Sequence, residues 1–324
     1  MPARSGPASS PRSLGTHPPR HENGERSLIT ADEVTEIELL ILRRVREMTL
    51  GDHRSRAQGT GFDYVGLREW QPGDRLSTID WPQSTLTNFS PLIAREFEQP
   101  GMATVLVVAD ASLSTRCGAH GVSIAALVAR AIATLGLSAV FFQDRFGLAV
   151  FDGAGRHLAA IRPGIGRNHV MHCLDAYQYQ RGLQEVRDAA SLSMTIGSFM
   201  RKTALIPFVS DFLFEDPRAV LDELVLLNTQ HDVFIVLVDA AFAFELPRLS
   251  AGWVETVDVE TGRTRTMSRE ALADLAARVR AWQDEVTSHA RDAGIDIVMF
   301  GTDSVANELA LAEFVAERRL RKVA

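Results

Sequence analysis

Two acids in this chain stand where apolar runs end. "TVLVVADASLST" (residues 104–115) closes on Asp110 and then places Ser112 and Ser114 at alternate positions, and "ALIPFVSDF" (204–212) closes on Ser210 and Asp211. Carboxylates and hydroxyls are the hard oxygen donors that Mg2+ takes, and a hydroxyl-rich set leaves the ion coordinated partly by water. Two hydroxyls at alternate loop positions can point the same way and bind directly, with the acids binding directly or through water. An alternative stays open on spacing alone: both acids cap neighbouring helices, and the serines satisfy turn backbone.

Other residues suggest other chemistries. His169, His172 and Cys173 stand at i, i+3 and i+4, one helix face of soft donors, but no further Cys or His cluster completes a tetrahedral zinc site. Asp110 as a phosphoryl-accepting nucleophile would want a second acid two residues on, where Ser112 stands. The "GTG" at 59–61 lacks the third glycine of a dinucleotide loop, and there is no Gly-Lys-Ser/Thr phosphate loop. Any use of ATP would run through a partner.

The elements that must position the acids follow from periodicity. Val105–Ala109 is short, β-branched and does not alternate, as in a strand covered on both faces. Strands are expected at 104–110, 146–151, 156–161, 204–210, 232–239 and 295–300. Helices are expected at 31–49, 121–141, 167–179, 186–201, 217–227, 269–292 and 304–318, with a polar hairpin-like region at 253–267. Such alternation predicts a doubly wound α/β domain with a mostly parallel sheet and helices on both faces. In open sheets of this kind the crevice beyond the strand ends binds ligands, which puts Asp110 and Asp211 on one functional edge. Thr30 with Glu33 forms a capping box before the first helix, and Asp216-Pro217 and Ser268 cap later ones.

Five segments follow: a Pro/Ser/Gly/Arg-rich tail at 1–29 expected to be disordered, a helix at 30–50, a segment of glycines, aromatics and charges at 51–100, the α/β domain at 101–302 and a last helix at 303–324. The 41 acids against 34 bases give a net charge of −7 with no basic tract, which disfavours nucleic-acid or anionic-membrane partners. Cys117 and Cys173 are expected as free thiols. Ile124–Phe142 is the nearest approach to a membrane span but carries Arg130, and no signal-peptide pattern is visible, so a cytoplasmic location is expected.

The D-x-S-x-S at Asp110, Ser112 and Ser114, followed by a later strand ending in Ser210-Asp211, resembles the metal-ion-dependent adhesion site of von Willebrand factor A domains. In that family a third loop supplies a threonine, and aligning "GIGRNHVMHCL" (164–174) puts Asn168 in its place. The stretch "GTGFDYVGLREWQPGDRLSTIDWPQSTLTNFSPLIAREFEQ" (59–99) resembles the signature of a bacterial group with such domains, the domain-of-unknown-function family fifty-eight; "DVETGRTRTM" (258–267) resembles its later hairpin. The resemblance implies a von Willebrand A-like fold, a Mg2+ (or Mn2+ or Ca2+) site of Asp110, Ser112, Ser114, Asn168 and Asp211, and a MoxR-type AAA+ ATPase as partner. On this reading the protein is a non-enzymatic adaptor in assembly or maturation of a protein complex, the open coordination position taking a partner's carboxylate. A metal-dependent hydrolase with His169 as general base and a metal-free scaffold remain as alternatives. Within the signature, Arg68, Glu69, Asp74, Asp80, Arg95, Glu96 and Glu98 are expected to pair across short strands, anchored to the domain by Trp70, Trp81 and Phe97.

Overall fold

Thr30 and Glu33 close the expected capping box: the Thr30 amide donates to Glu33 Oε2 at 2.7 Å and the Glu33 amide to Thr30 Oγ1 at 3.3 Å. They open α1 (Ala31–Gly51), the first element of the computed structural model, which describes residues 27–51, 63–71, 76–98, 102–152, 157–186, 191–245, 252–257 and 263–321. Residues 27–29, expected in the tail, are part of the fold. Ile29 is buried, and the Leu28 amide donates to the Gln178 side chain. The rest of the tail lies outside the described residues.

A small antiparallel lobe follows, in which β1 (Asp63–Glu69) pairs with β2 (Ile93–Glu98), with α2 (Trp81–Leu86) between them. Asp80 caps α2 through the Gln83 amide and pairs with Arg95 at 2.8 Å, one of the expected charge pairs. The fully buried Ser84 ties α2 to β2, accepting from the Ile93 amide at 2.9 Å. Trp81 does not serve as an anchor: at the first position of a short helix, it is 56% exposed. Asp74 and the side chains of Glu96, Phe97 and Glu98 lie outside the described residues.

The main sheet begins with β3 (Thr104–Asp110), buried along its length. Two short strands, β4 (Gly118–Ala119) and β5 (Val122–Ser123), lead into α3 (Ile124–Phe141), whose cap is Ser123 rather than a residue near 121. Then come β6 (Arg145–Asp152), β7 (His157–Gly164), α4 (Arg167–Tyr179) and β8 (Gln184–Glu185), followed by α5 (Leu192–Phe199), β9 (Leu205–Ser210), α6 (Pro217–Asn228) and β10 (Asp232–Val238). The hairpin β11 (Trp253–Val257) and β12 (Thr264–Ser268) runs straight into α7 (Arg269–Asp292), before β13 (Asp296–Phe300) and α8 (Ser304–Arg321). The helix expected at 186–201 is therefore shorter. Ser191 caps it through the Met194 amide, and Val186, the first residue of the expected span, instead donates its amide to the Leu158 carbonyl just after β8.

The seven strands run in the order β13-β10-β9-β3-β6-β7-β8. From β13 to β6 neighbours are parallel, while β7 is antiparallel to both its neighbours. Four residues separate β6 from β7, far too few for the dozen or so that a parallel crossover needs. Alternation along β3 sorts the core into two layers. Val105, Val107 and Ala109 face the layer that includes residues of α1, α3, α4 and α8, while Leu106 and Val108 face one that includes residues of α5 and α6. Both terminal helices thus belong to the core of the α/β domain, since Ile37 and Ile41 of α1 and Leu311 and Val315 of α8 are buried in its first layer.

Candidate metal centre

β3 and β9 are adjacent and parallel, so their carboxyl ends bring Asp110 and Asp211 to one edge. Both acids are 0% exposed. The Asp110 carboxylate is fully engaged: Oδ1 accepts from the Ser112 amide at 2.8 Å and Oδ2 from the Ser210 hydroxyl at 2.7 Å. Asp211 is only half engaged, because Oδ1 accepts from the Leu213 amide at 3.0 Å while Oδ2 is buried with no hydrogen-bond partner. Ser112 and Ser114 sit with their hydroxyl oxygens 2.9 Å apart, converged as a shared donor pair would be.

The electrostatics fit a buried pair of acids short of positive charge. Burial pushes the Asp110 carboxyl above its usual range, hydrogen bonds from Ser112 and Ser210 oppose the shift, and the Asp152 charge adds to it. Burial, then the neighbouring Asp110, drives Asp211 up to about 7, while the nearby Ser114 hydroxyl pulls it down without completing a normal hydrogen bond to the free oxygen. Two buried carboxylates repel unless a cation or a proton lies between them. Among the described residues, no three His, Cys, Asp or Glu side chains gather as a metal cluster. The residues that could hold a cation here are the two acids together with the serine hydroxyls, hard oxygen donors of the kind Mg2+ takes.

Helices from both sides hold this edge. The fully buried Tyr177 hydroxyl, on α4, donates to the Asp110 carbonyl at 2.8 Å. From α7, Gln283 Nε2 donates to the carbonyls of Asp211 at 3.0 Å and Val238 at 2.8 Å, and Trp282 Nε1 donates to the Phe212 carbonyl at 2.8 Å. None of the three is legible in the sequence, since a hydrogen-bonding side chain on an otherwise ordinary helix carries no local signal. Beside the Asp110 loop a cavity of about 580 Å³ opens, lined by Arg116, Asp152, Gln180 and Glu185 among others.

Asn168 is not part of this site. Because β7 is antiparallel, its last residue, Gly164, pairs with Phe146 near the start of β6, at the opposite end of the sheet from Asp110. The exposed Asn168 begins α4 there, and the helix climbs back so that only Tyr177 reaches Asp110. Nine residues of helix are about 13 Å of rise. His169, the base a hydrolytic reading needs, shares that far end, its ring against Gly164. His172 is 6.4 Å from it, ring centre to ring centre, burial pushes the Cys173 thiol up to about 12, and among the described residues no third His, Cys, Asp or Glu joins them as a cluster. The chain that returns to the Asp110 edge is the stretch after α4, and residues 180–190 contain no threonine.

Strand order and site together define a mixed α/β protein with a seven-stranded, mostly parallel sheet and an acid–serine cluster at its carboxyl edge. Residues 66–290 match the family described as Protein of unknown function DUF58, and the chain belongs to that family. The uncharacterized proteins Rv1480 of Mycobacterium tuberculosis and Mb1516 of Mycobacterium bovis are each 27% identical over 291 residues, covering 87% of this chain and 88% of theirs. Among solved structures, BatB from Bacteroides thetaiotaomicron is 14% identical with a TM-score of 0.37, covering 68% of this chain and 99% of that one. The pilus adhesin SpaC of Lactobacillus rhamnosus is 12% identical with a TM-score of 0.38, covering 69% of this chain and 31% of its own. Overlays this loose leave the fold to be read from the strand order itself.

Proposed function

We propose that the protein is a von Willebrand A-like, cation-dependent protein-binding module. Mg2+, or Mn2+ or Ca2+ in its place, is held by the hydroxyls of Ser112 and Ser114 and, directly or through water, by Asp110 and Asp211. The observation that carries this reading is the free Oδ2 of Asp211, a fully buried carboxylate oxygen with no partner beside a second buried acid. Buried charge is retained where something pairs with it, and a cation is what this donor set suits. With few anionic ligands the ion stays electrophilic, so a partner's carboxylate completes its coordination. The resemblance of residues 59–99 extends the proposal to an adaptor working with a MoxR-type AAA+ ATPase. Hydrolysis is the weaker reading, because His169 lies at the other end of the sheet.

Calorimetric titration of the full chain with MgCl2, beside Asp110→Ala, tests the cation. Saturable heat in the wild type that the variant loses supports the proposal, and no heat at millimolar metal overturns it. Co-purification with a MoxR-type ATPase that Asp110→Ala weakens tests the partner.

A further inference from the structure

The turn after β9 has an unusual backbone. Phe212 sits at φ 57°, the left-handed region that bulky side chains rarely occupy. The twist sends the two amides of the turn inward, Phe212 N to the Ser210 hydroxyl at 2.9 Å and Leu213 N to Asp211 Oδ1 at 3.0 Å. Both carbonyls of the turn are then left for α7, whose consecutive residues Trp282 and Gln283 donate to those of Phe212 and Asp211 respectively. Gln283 is 4% exposed, and its amide nitrogen also donates to Val238 on β10, so one buried side chain ties two strand ends to one helix.

We propose that Gln283, seconded by Trp282, is a positioning residue for the cation site: it holds the strained Asp211–Phe212 turn in the one shape that spends Asp211 Oδ1 on the backbone and leaves Oδ2 open. Released from α7, the turn relaxes out of the left-handed conformation, the Leu213 amide leaves Oδ1, and the carboxylate loses its orientation. The cation part of this inference rests on the function proposed above; the shape of the turn does not.

The experiment compares three variants of the full chain. Gln283→Met keeps volume but removes the donor, Trp282→Phe keeps the ring but removes the N–H, and Val286→Ala weakens α7 through packing alone. Hydrogen exchange of the Phe212 and Leu213 amides in metal-free protein reads the turn, and calorimetry with MgCl2 reads the site. We expect Gln283→Met to speed exchange at both amides and to weaken Mg2+ binding about tenfold or more, the range in which residues supporting metal ligands act. Trp282→Phe should do so less, and Val286→Ala should do neither beyond its general loss of stability. Equal behaviour of Gln283→Met and Val286→Ala in exchange overturns the inference. Faster exchange in Gln283→Met together with a wild type that binds no Mg2+ retains the clamp and discards the cation.

Discussion

Asp110 and Asp211 look alike in sequence but differ in what their oxygens already do. Each Asp110 oxygen accepts a hydrogen bond, so Asp110→Asn, with its oxygen kept on the Ser112 amide, turns its NH2 toward Ser210 and leaves that hydroxyl's proton without its acceptor; one such loss in a buried site costs about 1–3 kcal/mol. Asp211→Asn can place its NH2 at the free Oδ2 position and keep the Leu213 bond. We therefore expect Asp211→Asn to melt no lower than wild type without metal, yet to lose any Mg2+-induced rise in melting temperature, whereas Asp110→Asn melts lower in both conditions. Thermal scans with and without MgCl2 separate the two. His231 gives a second expectation. It is 6% exposed, its Nδ1 accepts from the Ala204 amide, and burial holds it below the usual histidine value. As pH falls through about 6.5 the unfolded chain takes up this proton before the folded chain does, so stability drops until the folded value is passed. His231→Asn, which keeps an acceptor in place, should flatten that acid limb in urea unfolding curves.

Elements are joined by charge as well as by packing. Arg130 of α3 reaches Glu33 of α1 at 2.6 Å and Glu308 of α8 at 2.7 Å, and Glu308 is 3% exposed. Arg130→Met strands that carboxylate, at a cost of about 3–5 kcal/mol. Adding Glu308→Leu should restore much of the loss, and a double-mutant cycle by denaturant unfolding measures it. At this scale the sequence is readable where an element is buried on both faces: the ends of β3 and β9, and with them Asp110, Ser112, Ser114 and Asp211, come from unbroken apolar runs. It is misleading where one connection decides direction. Apolar spacing finds β7 and α4 but does not reveal that β7 runs backward, and that reversal alone moves Asn168 and His169 from the site to the far end of the sheet. Tyr177 and Gln283 are invisible for another reason, since their partners are main-chain carbonyls 45 to 72 residues away.

For the whole molecule, the family match and the folding unit have different boundaries. The match spans 66–290, yet α1 and α8 lie outside it and both pack on α3. A chain cut to residues 66–290 should lose cooperative unfolding and bind a hydrophobic dye, while one spanning 27–321 keeps the wild-type transition; calorimetry and dye fluorescence decide between them.

What those outer helices cover is itself unusual, for α3 is long and apolar enough by composition to cross a membrane. Synthesis runs from the N-terminus, so α3 emerges well before α8 exists. On the face the two helices share, α1 is the cover already made, and the Glu33–Arg130 pair is available to seat it. In the folded domain the first helix and the last thus share the work of covering a segment whose composition alone would suit a bilayer.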